Sequence, residues 1–282
     1  MSSRPPSMWH SVSRSAEGRI GLALGFALLL VMAFGPRFAP YDPDAIATGG
    51  PLAGPSGAHW MGTDQLGRDI LSRWLQGGRS VILAPLAAVA IALVIGGLLG
   101  MLAAYRGGAL DNLISRVFDI FIAVPPLLLV LVLISGLGTS TSVLVITVAM
   151  VFVPRTGRVV RGASQAVVTS DYVASAQARG ERTTAILVRE VLPNIAGPVI
   201  ADTALRITYA IIFVASLNFL GLGLQPPASD WGLMVAESRA FMTVQPWATI
   251  WAAVGIAALS ISFNLVADAI STHITRTGGE GH

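Results

Sequence analysis

The sequence contains no cysteine and no lysine. The first absence removes disulfides, thiolate metal sites and thiol nucleophiles, and leaves the redox compartment open. The second makes all 18 basic residues arginines, so the chain has neither a phosphate-gripping P-loop lysine nor a Schiff-base lysine. If ATP drives this protein, another chain must bind it. Charge of either sign is also sparse, at 12% of 282 residues, against about a quarter in soluble domains. The histidines number 4. His10, His59, His273 and His282 are scattered through tails and loops, which leaves no His/Asp/Glu cluster for an embedded enzyme and no metal-ligand spacing. No catalytic residue, cofactor site or metal site is expected.

What remains is apolar. Hydrophobic residues make up 54% of the chain, aromatics only 7%, and glycines number 30; mean hydropathy is +0.70. Ala, Leu, Val, Ile and small residues dominate, the mixture that lets helices pack closely in lipid. The net charge of +3 does not indicate nucleic acid, because the arginines lie between apolar segments and form no stripe. An all-α integral membrane bundle follows.

A bilayer core of about 30 Å needs about 20 apolar residues per helix. Six such stretches are expected: Ile20 to Phe38, Val81 to Tyr105, Phe118 to Leu137, Ser142 to Pro154, Val199 to Asn218 and Thr249 to Ile270. The polar first 19 residues precede an apolar run too long for a signal peptide and without an A-x-A site, so the first helix reads as retained. With the N-terminus inside, the cytoplasmic segments carry Arg4, Arg14, Arg19, Arg106, Arg116, Arg155, Arg158, Arg161, Arg179, Arg182, Arg189 and Arg276; the outer ones carry Arg37, Arg68, Arg73, Arg79 and Arg239. This bias places both termini in the cytoplasm. The chain divides into a cytoplasmic tail (1–19), a first span plus outer segment (20–80), a permease-like domain (81–270) containing an inner loop (155–198), and a cytoplasmic tail (271–282) whose Gly278 to His282 end reads as frayed.

The inner loop reads as helix, turn, helix. Ser170 or Asp171 can cap the first helix, Gly180 suits a left-handed turn, and Pro193 is expected to limit a second helix over about Glu181 to Val191. This stretch resembles the cytoplasmic loop of ABC importer permeases, with its E-A-A, three residues, G, and then L-P after eleven more. Gly180, Leu192 and Pro193 keep that spacing and Ala176 is retained. Ala174 replaces the glutamate, Ser175 the first alanine, and Glu190 an isoleucine, while Asp171-Tyr172-Val173 is similar to the lead-in of peptide permeases. The resemblance implies that Asp171, Tyr172, Ala174, Ser175, Ala176, Gly180, Ile186, Leu192, Pro193 and Asn194 couple the chain to an ATPase. A solvated basic loop beside the anionic leaflet is the plainer reading.

The outer segment carries Gly62-Thr63-Asp64-Gln65-Leu66-Gly67-Arg68-Asp69, then Ile70-Leu71-Ser72-Arg73. Thr63 or Asp64 can cap a helix with Leu66, Ile70, Leu71, Trp74 and Leu75 at helical spacing, giving an amphipathic interfacial helix on which Asp64 and Arg68 pair. The string G-T-D-x-x-G-R-D resembles the start of one of the two permeases of dipeptide and oligopeptide importers. Packing against the bundle is favoured over direct substrate contact. Leu217 to Pro227, followed by Asp230-Trp231-Gly232, is similar to a later segment of the same family, with Asn218 in place of a serine. Trp231 and Trp247 suit an outer aromatic belt. Ala104 to Gly108, with Asp111, Arg116, Asp119 and Pro125-Pro126, resembles the family's inner turn. Within the fifth span Asp202 and Arg206 stand four apart, as a mutual pair or as lining for a hydrated path.

The resemblance covers about Trp60 to Ile270. It implies a six-helix type I ABC importer transmembrane domain with a cytoplasmic coupling-helix loop, in a bacterial inner membrane. The partners it implies are a second homologous permease, two ABC ATPase subunits that bind the ATP, an external solute-binding protein, membrane lipid and a peptide substrate. Related importers carry nickel chelates or glutathione. A self-sufficient secondary transporter or channel is the alternative from another class, but it calls for paired ionisable groups or broken helices at mid-membrane.

Overall fold

The computed structural model describes the backbone of residues 15–279 and the side chains of 15–272. The tail bearing Arg4, His10 and Arg14, the side chains of His273 and Arg276, and the last three residues with His282 lie outside the described residues. Helix α1 (Ala16–Phe34) is capped by Ser15, whose hydroxyl accepts from the Gly18 amide at 3.0 Å. Arg19 therefore sits on a helix, not in a tail. A long outer segment leads to α2 (Ile70–Arg106), then α3 (Gly108–Ala123), α4 (Pro126–Leu137) and α5 (Thr141–Val168). The inner hairpin comprises α6 (Asp171–Ala178) and α7 (Thr183–Ile186). A π turn (Leu187–Val191) joins α7 to α8 (Leu192–Phe219), and α9 (Trp231–Ser238) and α10 (Trp247–Gly279) follow.

Among the described residues five helices are long and apolar enough to cross a bilayer, and a sixth crossing exists if α3 and α4, bent by 89°, count as one span. The expected third span, Phe118 to Leu137, is thus not a straight helix. Val124 is extended before Pro125, as a residue preceding proline tends to be, and Phe118 belongs to the helix before the break. The fourth span is longer than expected, because α5 continues through Arg155, Arg158 and Arg161 to Val168. Arg158 pairs with Asp119 and Arg161 with Asp111, both on α3, so these charges are held by a neighbouring helix rather than by a cytoplasmic loop.

α2 and α5 pack closely; a Cβ added at Gly96 would lie 2.5 Å from the Val153 carbonyl oxygen, so only glycine permits this approach. Around them one core joins Ala88, Val89 and Ala92 of α2, Val130 and Ile134 of α4, Val148 and Phe152 of α5, and Val214 and Leu217 of α8. A second joins α1, the start of α2, α9 and α10 around Trp231. Trp231 is fully buried, stacked on Trp74 at 5.1 Å between centroids, and donates to the Trp74 carbonyl at 2.8 Å. It is a core residue and not part of an aromatic belt; Trp247, at 38% exposure, remains at the surface.

Candidate functional site

The inner hairpin forms at the expected turn. Ser170 precedes α6, and Gly180 closes it with φ +74°, a left-handed conformation that a side chain resists. Val173, Ala176 and Ile186 are buried against one another and against Tyr105 and Val167. Ala176 and Ile186 therefore fasten the hairpin to the bundle. Asp171, Tyr172, Ala174, Ser175, Gly180, Leu192, Pro193 and Asn194 lie exposed, joined by Val188, which is 55% exposed. Pro193 does not end the second helix as expected. The π turn ahead of it loosens the ladder where the proline lacks an amide, Asn194 Nδ2 donates to the Glu190 carbonyl at 2.6 Å, and the helix runs on. Thr183 to Phe219 is consequently one rod of 37 residues, about 55 Å long. Its lower part is anchored by Leu187, Val191, Ile195 and Val199 against Met101 and Val160.

Further along that rod, Arg206 grips Asp202 through Nε at 2.5 Å and Nη2 at 2.8 Å. The sequence left pairing and path lining as alternatives; the two residues pair, and Arg206 also lines a cleft of about 460 Å³ with Pro126, Arg155, Tyr209 and Ser216 above an apolar floor. A second cleft of about 430 Å³ shares Ile212 and Ser216 and continues toward Phe219, Gly232 and Ser260. One face of the second half of α8, from Arg206 to Phe219, thereby borders the two clefts.

The outer motif builds something different. No helix begins at Thr63 or Asp64: α2 starts at Ile70, capped by Asp69, whose Oδ2 accepts from the Ser72 amide at 2.8 Å. There is accordingly no separate interfacial helix, and α2 carries Trp74 and Leu75 directly into the membrane. Asp64 and Arg68 do pair, at 2.7 Å, but in a buried loop. Arg73 reaches Asp64 at 2.8 Å, and both arginines reach Glu237 of α9, at 3.1 and 2.8 Å. Gly62 and Gly67 take φ of +81° and +70° with carbonyl groups pressed against them. Thr63 accepts from the Ala53 amide, and its own carbonyl receives Gln245 Nε2 at 3.1 Å. His59 Nδ1 lies 2.9 Å from Asp69. With Asp64, Arg68, Asp69 and Arg73 each no more than 2% exposed, the motif is a buried knot that ties the outer segment to α9 and to the loop ahead of α10. Nearby, Asp230 is fully buried and accepts from Ser80, Asn218 and the Gly232 and Leu233 amides; burial pushes its carboxyl above its ordinary value, while these donors pull it back.

Residues 96–277 match the family described as "Binding-protein-dependent transport system inner membrane component". The chain belongs to that family. Among the relatives of this permease, the probable D,D-dipeptide transport system permease protein DdpC of Escherichia coli K12 is 39% identical over 86% of this chain and 82% of its own length. The dipeptide transport system permease protein DppC of Haemophilus influenzae is 33% identical, covering 93% and 91%. The glutathione transport system permease protein GsiD of Pectobacterium atrosepticum is 36% identical, covering 91% and 87%. A chain of the MetNI methionine ABC transporter, in an inward-facing conformation, superposes with a TM-score of 0.59 over 72% of this chain and 97% of its own, at 15% identity; it shares the fold. The permease is thus a multi-pass inner-membrane transport component.

The sequence names the hairpin, the Asp202–Arg206 pair and the outer motif; it does not show that Glu237 and Gln245 partner that motif or that Asp230 binds Ser80 and Asn218. Glu237 and Gln245 carry no local pattern, since they reach the motif from elsewhere in the chain. Arg155, placed in the inner loop by the sequence, stands inside α5 and lines the cleft.

Proposed function

We propose that this permease forms half of the translocation pathway of an ATP-driven importer of dipeptides or oligopeptides, beside a second, homologous permease. Two ABC ATPases complete the importer, one of them docking on the exposed hairpin, and an external solute-binding protein delivers the substrate. The observation that carries the reading is the continuous helical segment from Thr183 to Phe219: a push at Val188 reaches the cleft at Arg206, roughly 27 Å away, along one element of the fold. ATP binding closes the ATPases, the hairpin follows, and the bundle passes from inward-open to outward-open to accept solute. The peptide substrate rests on the D,D-dipeptide and dipeptide relatives; the glutathione relatives, of comparable identity, support glutathione as the second reading. The chain itself needs no cofactor, and both termini are cytoplasmic.

Affinity purification from mild-detergent-solubilised native membranes tests the assembly. Recovery of a second permease and P-loop ATPases is expected. Repeated recovery of this chain alone, still active in transport, would replace the reading with a self-sufficient transporter.

A further inference from the structure

Three arginines descend α5 at three-residue intervals, and they are not treated alike. Arg161 is matched by Asp111, at 2.5 and 2.6 Å, and Arg158 by Asp119. Each step of three residues turns the side chain about 60° around the helix. Arg155, two such steps from Arg161, has left the α3 side for the cleft shared with α8. There it donates through Nη1 to the Val151 carbonyl at 2.8 Å and forms no ion pair with any described residue. It stands about 21 Å along α5 from Thr141, within a span. An arginine at such a depth is costly unless it faces water or a partner.

The cleft's charge can be counted. Arg206 is neutralised by Asp202, and Arg155 is not matched, so one positive charge remains. The rest of the lining is Pro126, Val151, Phe152, Tyr209, Ile212, Phe213 and Ser216, which adds hydroxyls and apolar walls but no carboxylate. Such a cleft repels an ammonium group and attracts an anion of modest size. Guanidinium and carboxylate match in shape as well as charge.

We infer that Arg155 is a specificity-determining residue which receives the carboxylate of the solute in transit, so that this permease selects for a free carboxyl group and not only for size. The inference rests on the importer reading above and narrows it: the solute bears a carboxylate, which peptides and glutathione both do. The Asp202–Arg206 pair would hold the wall of the cleft in shape while Arg155 does the selecting.

The test uses the complete transporter reconstituted in proteoliposomes with its binding protein, and compares ATP-driven uptake of alanyl-alanine and of its C-terminal amide. Because wild type and variant use the same binding protein, a change in the acid-to-amide ratio belongs to the permease. Arg155→Gln is expected to lower that ratio by at least about tenfold, the lower end of the usual weight of a hydrogen bond to a charged group. Arg155→Lys, which keeps the charge but loses the forked geometry, is expected to give a ratio between those of wild type and Arg155→Gln, and that drop below wild type carries the comparison if Arg155→Gln does not assemble. An unchanged ratio in Arg155→Gln, or a ratio lost equally in Arg155→Lys, overturns the inference. If wild type shows no ATP-driven uptake of any solute, the importer reading falls and takes this inference with it.

Discussion

At the residue scale, this protein keeps its charges by giving each a specific partner, and the consequence of removing one depends on what is left behind. Asp230 illustrates this. Its Oδ1 accepts from Asn218 and the Gly232 and Leu233 amides, and its Oδ2 from Ser80. An asparagine can keep the first three bonds and reverse the fourth, since the Ser80 hydroxyl can accept. Burial raises the pKa of this carboxyl, so its protonated form is favoured by folding; that contribution is full below the unfolded value and is lost as pH rises through the raised folded value. Above that raised value the charge is carried at a cost. Asp230→Asn should therefore melt no lower than wild type at pH 7, whereas Asp230→Ala, which strips the helix cap and orphans Asn218, should lose about 2 kcal/mol. Thermal unfolding in detergent checks both, and a lower Tm for Asp230→Asn than for Asp230→Ala would contradict the account. By the same reasoning Arg206→Ala leaves Asp202 unpaired in a membrane helix and should reduce the yield of folded protein by detergent size-exclusion. Adding Asp202→Asn should recover it.

At the scale of elements, the hairpin and the rod behind it form one lever. Gly180→Pro replaces the left-handed residue by one locked near −65°, so the turn cannot close and α7 loses its angle to α6. Membrane insertion should persist, because the apolar spans are untouched, while ATP hydrolysis continues without uptake. Normal uptake by Gly180→Pro would remove the hairpin from the coupling path. The turn itself was legible because Gly180 and the helix patterns around it are local signals. The continuation of the rod was not. Pro193 reads as a break, but it falls in the first turn after a π turn that accommodates it. Hydropathy likewise found the cores of the spans and missed their inner ends. It could not see α3, because Asp111, Arg116 and Asp119 interrupt its apolar pattern, nor the end of α5, because Arg158 and Arg161 look cytoplasmic until α3 supplies their partners. The outer motif was misread as a helix for a related reason. Its Leu66, Ile70 and Trp74 fit a helical period, yet Gly67 and the distant Glu237 and Gln245 hold residues 62–69 in a loop.

At the scale of the whole molecule, the open question of five or six crossings becomes a question of parity. Between Trp60 of the outer segment and Tyr172 of the hairpin lie α2, the bent pair α3 and α4, and α5. If the bent pair crosses, three crossings put these residues on opposite sides; if it turns back, two put them on the same side. The chain lacks cysteine, so single thiols can be introduced without removing any. Trp60 is 74% exposed and Tyr172 41%, and both accept such a change without disturbing the core. A membrane-impermeant maleimide applied to spheroplasts should label Trp60→Cys and spare Tyr172→Cys, and in inside-out vesicles stripped of peripheral subunits the pattern should invert. Labelling of both variants from one side would mean that α3 and α4 form a re-entrant loop. The hairpin would then share a compartment with the buried knot, and the rod could not carry ATPase movement across the membrane, so this experiment tests topology and mechanism together.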